Sequence, residues 1–199
     1  MLNASFLCIK LKKVLSQKVF RESRTNERNH RMSSHHPDPG QPSHPRAPQH
    51  REVPFQPPDP AQPSGQSVIR RLHEELFIWL ITVDAKGVPH TLPVGFLWDE
   101  AQSTFLIYSA SEADRDRLTQ IKQNPKVGLH FNFDLSGRDS FILTGEAEVS
   151  PDDPPSDQIP AWRDKYQALF DHLGMTLQQA AALAPIALRI RPLTMIVTS

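Results

Sequence analysis

The chain has 199 residues, room for one domain of ordinary size, and its 22 basic and 22 acidic side chains cancel. That neutrality averages opposites, because residues 1–31 carry eight basic and two acidic side chains whereas residues 67–199 carry twelve and seventeen. An acidic domain lacks the basic face that a nucleic-acid backbone requires. The single cysteine, Cys8, provides neither a disulfide framework nor a cysteine metal site, and no run of about 18 apolar residues offers a membrane-spanning helix.

The expectation from these exclusions is a cytoplasmic chain with no nucleic-acid or membrane partner. Residues 1–20 set Leu7, Leu11, Val14, Leu15 and Val19 at helical spacing among Lys10, Lys12, Lys13 and Lys18. Two readings stand for this stretch: a basic amphipathic or transit-like segment, or a tail without function whose true start is Met32, the second being preferred. Ten of the 19 prolines fall between residues 37 and 63. The Pro, Gln, His and Ser composition of 33–64 cannot bury enough apolar surface to offset chain entropy, so residues 1–66 are expected to be a disordered tail. His30, His35, His36, His44 and His50 lie in it at spacings that fix no coordination geometry, and no metal site is expected.

The folded domain is expected over 67–199. Val68 to Glu75 reads as a short helix, and Leu76 to Asp84 as a first strand rich in aromatic and β-branched residues. Ala85, Lys86 and Gly87 make a turn into a second strand with Val88, His90, Leu92, Val94, Phe96 and Trp98 on alternate positions. Thr104 to Ser109 is a third strand, followed by a charged helical segment ended by Asn124-Pro125. Val127, Leu129, Phe131 and Phe133 mark a fourth strand, and Phe141, Leu143, Ala147 and Val149 a fifth. Trp162, Tyr166, Leu169, Phe170 and Leu173 form one face of an amphipathic helix closed by Gly174, and Thr176 with Gln179 spells a capping box for another. Ile186 to Arg191 is the last strand. Six short antiparallel strands with few helices favour a closed barrel, which hides their edges.

Four local motifs occur in order. They are Trp79-Leu80-Ile81-Thr82-Val83-Asp84-Ala85-Lys86-Gly87-Val88-Pro89-His90, then Pro93-Val94-Gly95-Phe96-Leu97-Trp98-Asp99, then Tyr108-Ser109 with Arg115-Asp116-Arg117-Leu118-Thr119-Gln120-Ile121 and Asn124-Pro125-Lys126-Val127, and finally Thr144-Gly145-Glu146-Ala147. Together they resemble the flavin/deazaflavin oxidoreductases with the pyridoxamine 5'-phosphate oxidase-like split β-barrel. Lys165-Tyr166 to Gly174-Met175-Thr176 resembles the helix pair of the deazaflavin-dependent branch.

The resemblance implies a mainly β fold with helices, a six-stranded antiparallel split barrel, from Ser67 to about Arg191. It implies an oxidoreductase that moves a hydride between bound coenzyme F-420, or FMN as the alternative, and a small organic substrate. A non-catalytic flavin, deazaflavin or haem carrier is the competing class, and a two-fold dimer is expected. The cofactor-binding residues it implies are His90, Thr91, Pro93, Val94, Tyr108, Ser109, Ala110, Arg115, Arg117 and Gln120, with no catalytic side chain. The passage from a strand end into a helix supplies free N–H groups and a positive dipole end, and arginines add permanently charged donors, a natural seat for phosphate. Arg115 and Arg117 converge on one anion only if Arg115 lies in the loop and Arg117 in the first helical turn, since two residues on a helix diverge by about 200°. The family pattern has lysine at Arg117 and a large, often aromatic, residue at Gly95, so the expectation at Gly95 is either a widened site or the loss of a stacking contact. The second strand lacks the added basic residues of true pyridoxamine phosphate oxidases, which argues against that vitamin-oxidase activity.

Overall fold

The computed structural model describes residues 53–110, 115–132 and 140–198. The readings of residues 1–52, including the basic segment, Met32 and the five histidines, lie outside them.

Strands appear where apolar residues alternate. They are β1 (Val53–Pro54), β2 (Phe77–Val83), β3 (Pro89–Gly95), β4 (Leu97–Asp99), β5 (Thr104–Ser109), β6 (Lys126–Phe131), β7 (Ser140–Val149) and β8 (Ile186–Thr198). Of these, β2, β5, β6 and β7 turn their apolar side to one interior. All neighbouring pairs are antiparallel, in the order β3-β2-β6-β7-β8-β5-β4, with β1 pairing to β8 off that path. The two ends of this seven-strand path, β3 and β4, are joined covalently through Phe96, so the sheet curls into the half-barrel of a split-barrel fold.

Three differences from the expected six strands have local causes. The second strand breaks at Phe96, whose backbone N–H donates to the Tyr166 hydroxyl instead of to a neighbouring strand. The last strand runs to Thr198 and not to Arg191, because Pro192 sits opposite Gly145, where the ladder shifts register and a missing N–H costs little. That shift leaves the Leu193 carbonyl to accept from Phe55 N–H at 2.7 Å, which adds the two-residue β1. Residues 53–66, placed in the tail on their proline content, therefore include this pairing and the start of helix α1 (Pro63–Glu74), where Pro63 occupies a first-turn position that needs no N–H.

The interior is aromatic. Phe131 and Phe141 stack with centroids 3.9 Å apart, Phe96 meets Phe131 edge-on at 5.5 Å, and Trp98 tilts onto Phe105 at 4.9 Å. Each such fully buried ring contributes about 1.5–3 kcal/mol of hydrophobic stabilisation. Val68 and Leu72 of α1 close over this core, and the Arg71 guanidinium lies over the Phe131 and Phe141 rings at 5.6 and 5.3 Å.

Helices α2 (Arg115–Gln123), α3 (Pro160–Leu173) and α4 (Leu177–Leu183) complete the domain. Gly174 ends α3 at φ 65°, and the capping box starts α4, with Gln179 N–H donating to Thr176 Oγ1 at 3.1 Å and Thr176 N–H to Gln179 Oε1 at 2.9 Å. Arg189 of β8 anchors the connection before α3. Its guanidinium gives two parallel bonds to Asp153, at 2.7 and 2.6 Å, and a third to Asp99 at 2.6 Å. No helix among the described residues is long and apolar enough to cross a membrane.

Candidate functional site

Alternation along β5 turns Phe105, Ile107 and Ser109 inward and leaves Tyr108 on the other face. Ser109, 1% exposed, ends the strand and accepts a 2.9 Å hydrogen bond from Arg117 Nη1, itself on a residue only 8% exposed. Arg117 lies in the first turn of α2, where unpaired backbone N–H groups gather. Arg117, Gln120 and Ile121 recur at helical spacing, all buried, so this face of α2 rests on the end of the barrel, with Ile121 in the core. Gln120 Oε1 accepts from the Thr82 hydroxyl of β2 at 2.6 Å. Two polar contacts thus meet on this face of α2, Ser109 with Arg117 and Thr82 with Gln120, and three of the four residues were expected from the sequence.

Thr82 was not among the expected residues. Its place on the inward face of β2 was legible from alternation, but its partner on α2 was not.

The expected residues of β3 divide by face. Register pairs Ile78 with Val94, Leu80 with Leu92 and Thr82 with His90, so these face the interior side. Thr91 pairs with Ile81 and Pro93 with Trp79 on the outer face. Because β3 ends the path, Leu92 is 36% exposed although its partner Leu80 is buried. His90 is exposed on the same side of β3. The Asp84 carboxylate accepts Lys86 N–H at 2.8 Å and Val88 N–H at 2.9 Å on Oδ1, and meets His90 Nε2 at 3.2 Å on Oδ2. The Val88 N–H and then the imidazole hold the Asp84 carboxyl below the usual carboxylate range.

Tyr108 turns away from Ser109 and Arg117. Its hydroxyl donates to the Pro154 carbonyl and its ring meets Trp162 edge-on at 4.9 Å. Burial, then the Asp153 charge, pushes its hydroxyl up to about 12. Ala110 follows Ser109 at the end of the described stretch. Arg115 begins the described part of α2, and its side chain lies outside the described residues, as do Glu112 and Asp114.

Gly95 has a packing cause. A Cβ there would stand 3.1 Å from the Tyr166 hydroxyl, so glycine makes room for the tyrosine that pins Phe96. The expectation of a widened cofactor site at Gly95 is corrected: the freed space is filled from α3. Tyr166 was expected only as one apolar position of its helix, because periodicity reports burial and not what a hydroxyl will bond.

A cavity of about 520 Å³ lies elsewhere, between Pro54, Pro57, Asp59, Val68 and Met195, and includes none of the expected residues. The chemistry suited to an anion is at Ser109 and Arg117: a hydroxyl and a five-donor planar cation at a helix start.

The family model for pyridoxamine 5'-phosphate oxidase matches residues 66–196. No curated protein matches the chain. Among solved structures, a Listeria innocua protein named for pyridoxamine 5'-phosphate oxidase is 20% identical, with 67% of this chain and 98% of that chain covered and a TM-score of 0.49. An F420 reductase is 23% identical over 63% of this chain and 94% of its own, at 0.45, and the haem storage protein HutZ of Vibrio cholerae 17% over 67% and 93%, at 0.46. At such identities and scores none of the three bears on what this chain binds. The matched family model spans nearly the whole described barrel, and the chain belongs to the pyridoxamine 5'-phosphate oxidase family.

Proposed function

We propose that this chain is an oxidoreductase that holds coenzyme F-420, with FMN as the alternative, at the Ser109–Arg117 end of the barrel. The observation that carries the reading is the buried Ser109–Arg117 bond on α2. A hydroxyl and a planar guanidinium at a strand end are donors of the kind that suit a phosphate or carboxylate tail. When bound, the cofactor supplies the hydride chemistry. The protein's part is to anchor the tail through Arg117 and Ser109, to hold Gln120 in place through Thr82, and to leave the ring beside Leu92 and His90.

The same reading includes a homodimer in the cytoplasm and a small organic substrate. Trp79 and Ile81 of β2, Pro93 of β3 and Ile142 of β7 share the outer face of the sheet, and Ile142 is 37% exposed, an apolar surface that a second copy would cover.

The test is titration of the purified protein with F-420 and with FMN, followed by oxidation of the reduced cofactor in the presence of model enones. Binding with turnover supports the oxidoreductase reading. Binding without turnover identifies a carrier instead, and failure to bind either cofactor refutes both.

A further inference from the structure

One nitrogen of the His90 ring is committed and the other is open. Nε2 faces Asp84 Oδ2 at 3.2 Å, while Nδ1 has no hydrogen-bond partner among the described residues, and the side chain is 46% exposed. Asp84 is in turn fixed by two backbone N–H groups of the turn it caps, so its second oxygen has one place to point. A carboxylate that orients an imidazole through one nitrogen and leaves the other toward open space has the geometry of a proton-transfer pair. The pair is also well placed. His90 is the direct register partner of Thr82, whose hydroxyl bonds Gln120 one helical turn from Arg117, and Leu92 offers an apolar seat beside it.

We propose that His90 is the proton donor of the reaction and Asp84 its positioning residue, an inference that rests on the oxidoreductase reading above. With an enone substrate, hydride from the reduced deazaflavin or flavin forms a C–H bond at the β-carbon, and the π pair shifts to the α-carbon. That carbon takes the proton from Nδ1 of the His90 imidazolium. The substrate gains two electrons and two hydrogens, the cofactor is oxidised by two electrons, and His90 is left neutral with Nε2–H on Asp84. Water returns the proton to Nδ1.

Two measurements on the full chain test this. In ¹⁵N-labelled protein without cofactor, neutral His90 carries its proton on Nε2. Asp84→Asn keeps an oxygen for the two turn N–H groups and presents an NH₂ to the ring, so it moves the proton to Nδ1. In turnover of reduced F-420 with a model enone, His90→Ala lowers kcat by between about 10² and 10⁴-fold and is partly rescued by added imidazole. A structural role for His90 would give no rescue. A wild-type ring protonated on Nδ1, or His90→Ala at wild-type rate, or a loss that imidazole does not restore, overturns the relay and leaves the oxidoreductase reading standing. A wild-type protein that shows no turnover overturns both.

Discussion

Tyr166→Phe removes one oxygen from the point where the sheet bends. That oxygen accepts the Phe96 N–H at 2.7 Å and lies 2.7 Å from the Leu76 carbonyl and 3.0 Å from the Phe96 carbonyl, to which its own proton is shared. Tyr166 is 2% exposed and Phe96 fully buried, so no water replaces the lost partner. Stranding the buried N–H costs about 1–3 kcal/mol and losing the donated bond about 1 more, giving about 2–4 kcal/mol in all. Urea unfolding followed by tryptophan fluorescence measures it, with an unchanged m-value expected. Gly95→Ala provides the internal control. Its Cβ would sit 3.1 Å from the hydroxyl, so it costs about 1–3 kcal/mol alone and less in the Tyr166→Phe background, where that oxygen is gone. A Tyr166→Phe loss below about 1 kcal/mol, or strict additivity of the two changes, would refute the view that this hydroxyl replaces a strand partner at Phe96.

Three further outcomes follow from other parts of the molecule. The Arg189 hydrogen bonds hold the Asp153 carboxyl below its ordinary 3.8. A depressed folded value gives stability that is full above the unfolded one and lost as pH falls through the folded one. Asp153→Asn should therefore flatten the acid limb of the stability curve below about pH 4, and an unchanged limb would contradict the pairing. Trp79→Glu on the outer sheet face should shift sedimentation from dimer to monomer at micromolar protein, and a monomeric wild type would remove the dimer. Thr82→Val should weaken cofactor binding less than Arg117→Ala does, because Thr82 acts through Gln120, and an equal loss would place Thr82 against the ligand.

Much of the barrel was legible because β-strand burial has a period of two and little else in these segments competes with it. Val127, Leu129 and Phe131, or Ile78 and Leu80, could hardly face elsewhere. The capping box and the Gly174 stop were equally readable, being local. What sequence could not show was set by distant partners. The last strand was read as ending at Arg191 until Pro192 proved to sit opposite a register shift at Gly145, and residues 53–66 read as tail until Leu193 supplied an acceptor. At the site, Tyr108 and Ser109 were both among the expected residues, but successive strand residues face opposite ways, so Ser109 meets Arg117 while Tyr108 packs on Trp162. The same alternation separates His90 from Thr91. Arg117 and Gln120 were found through the order of residues around them, and their burial against Ser109 and Thr82 is what the structure adds.

The account turns on Arg117. Calorimetric titration of F-420 and FMN into the wild type, Arg117→Lys and Arg117→Ala measures it directly, with thermal unfolding of each variant as the check on folding. Loss of a charge-assisted anchor worth about 1.5–3 kcal/mol predicts a Kd raised by about 10–150-fold in Arg117→Ala, with Arg117→Lys recovering most of it. Folded Arg117→Ala that binds as tightly as the wild type would contradict the placement of the cofactor.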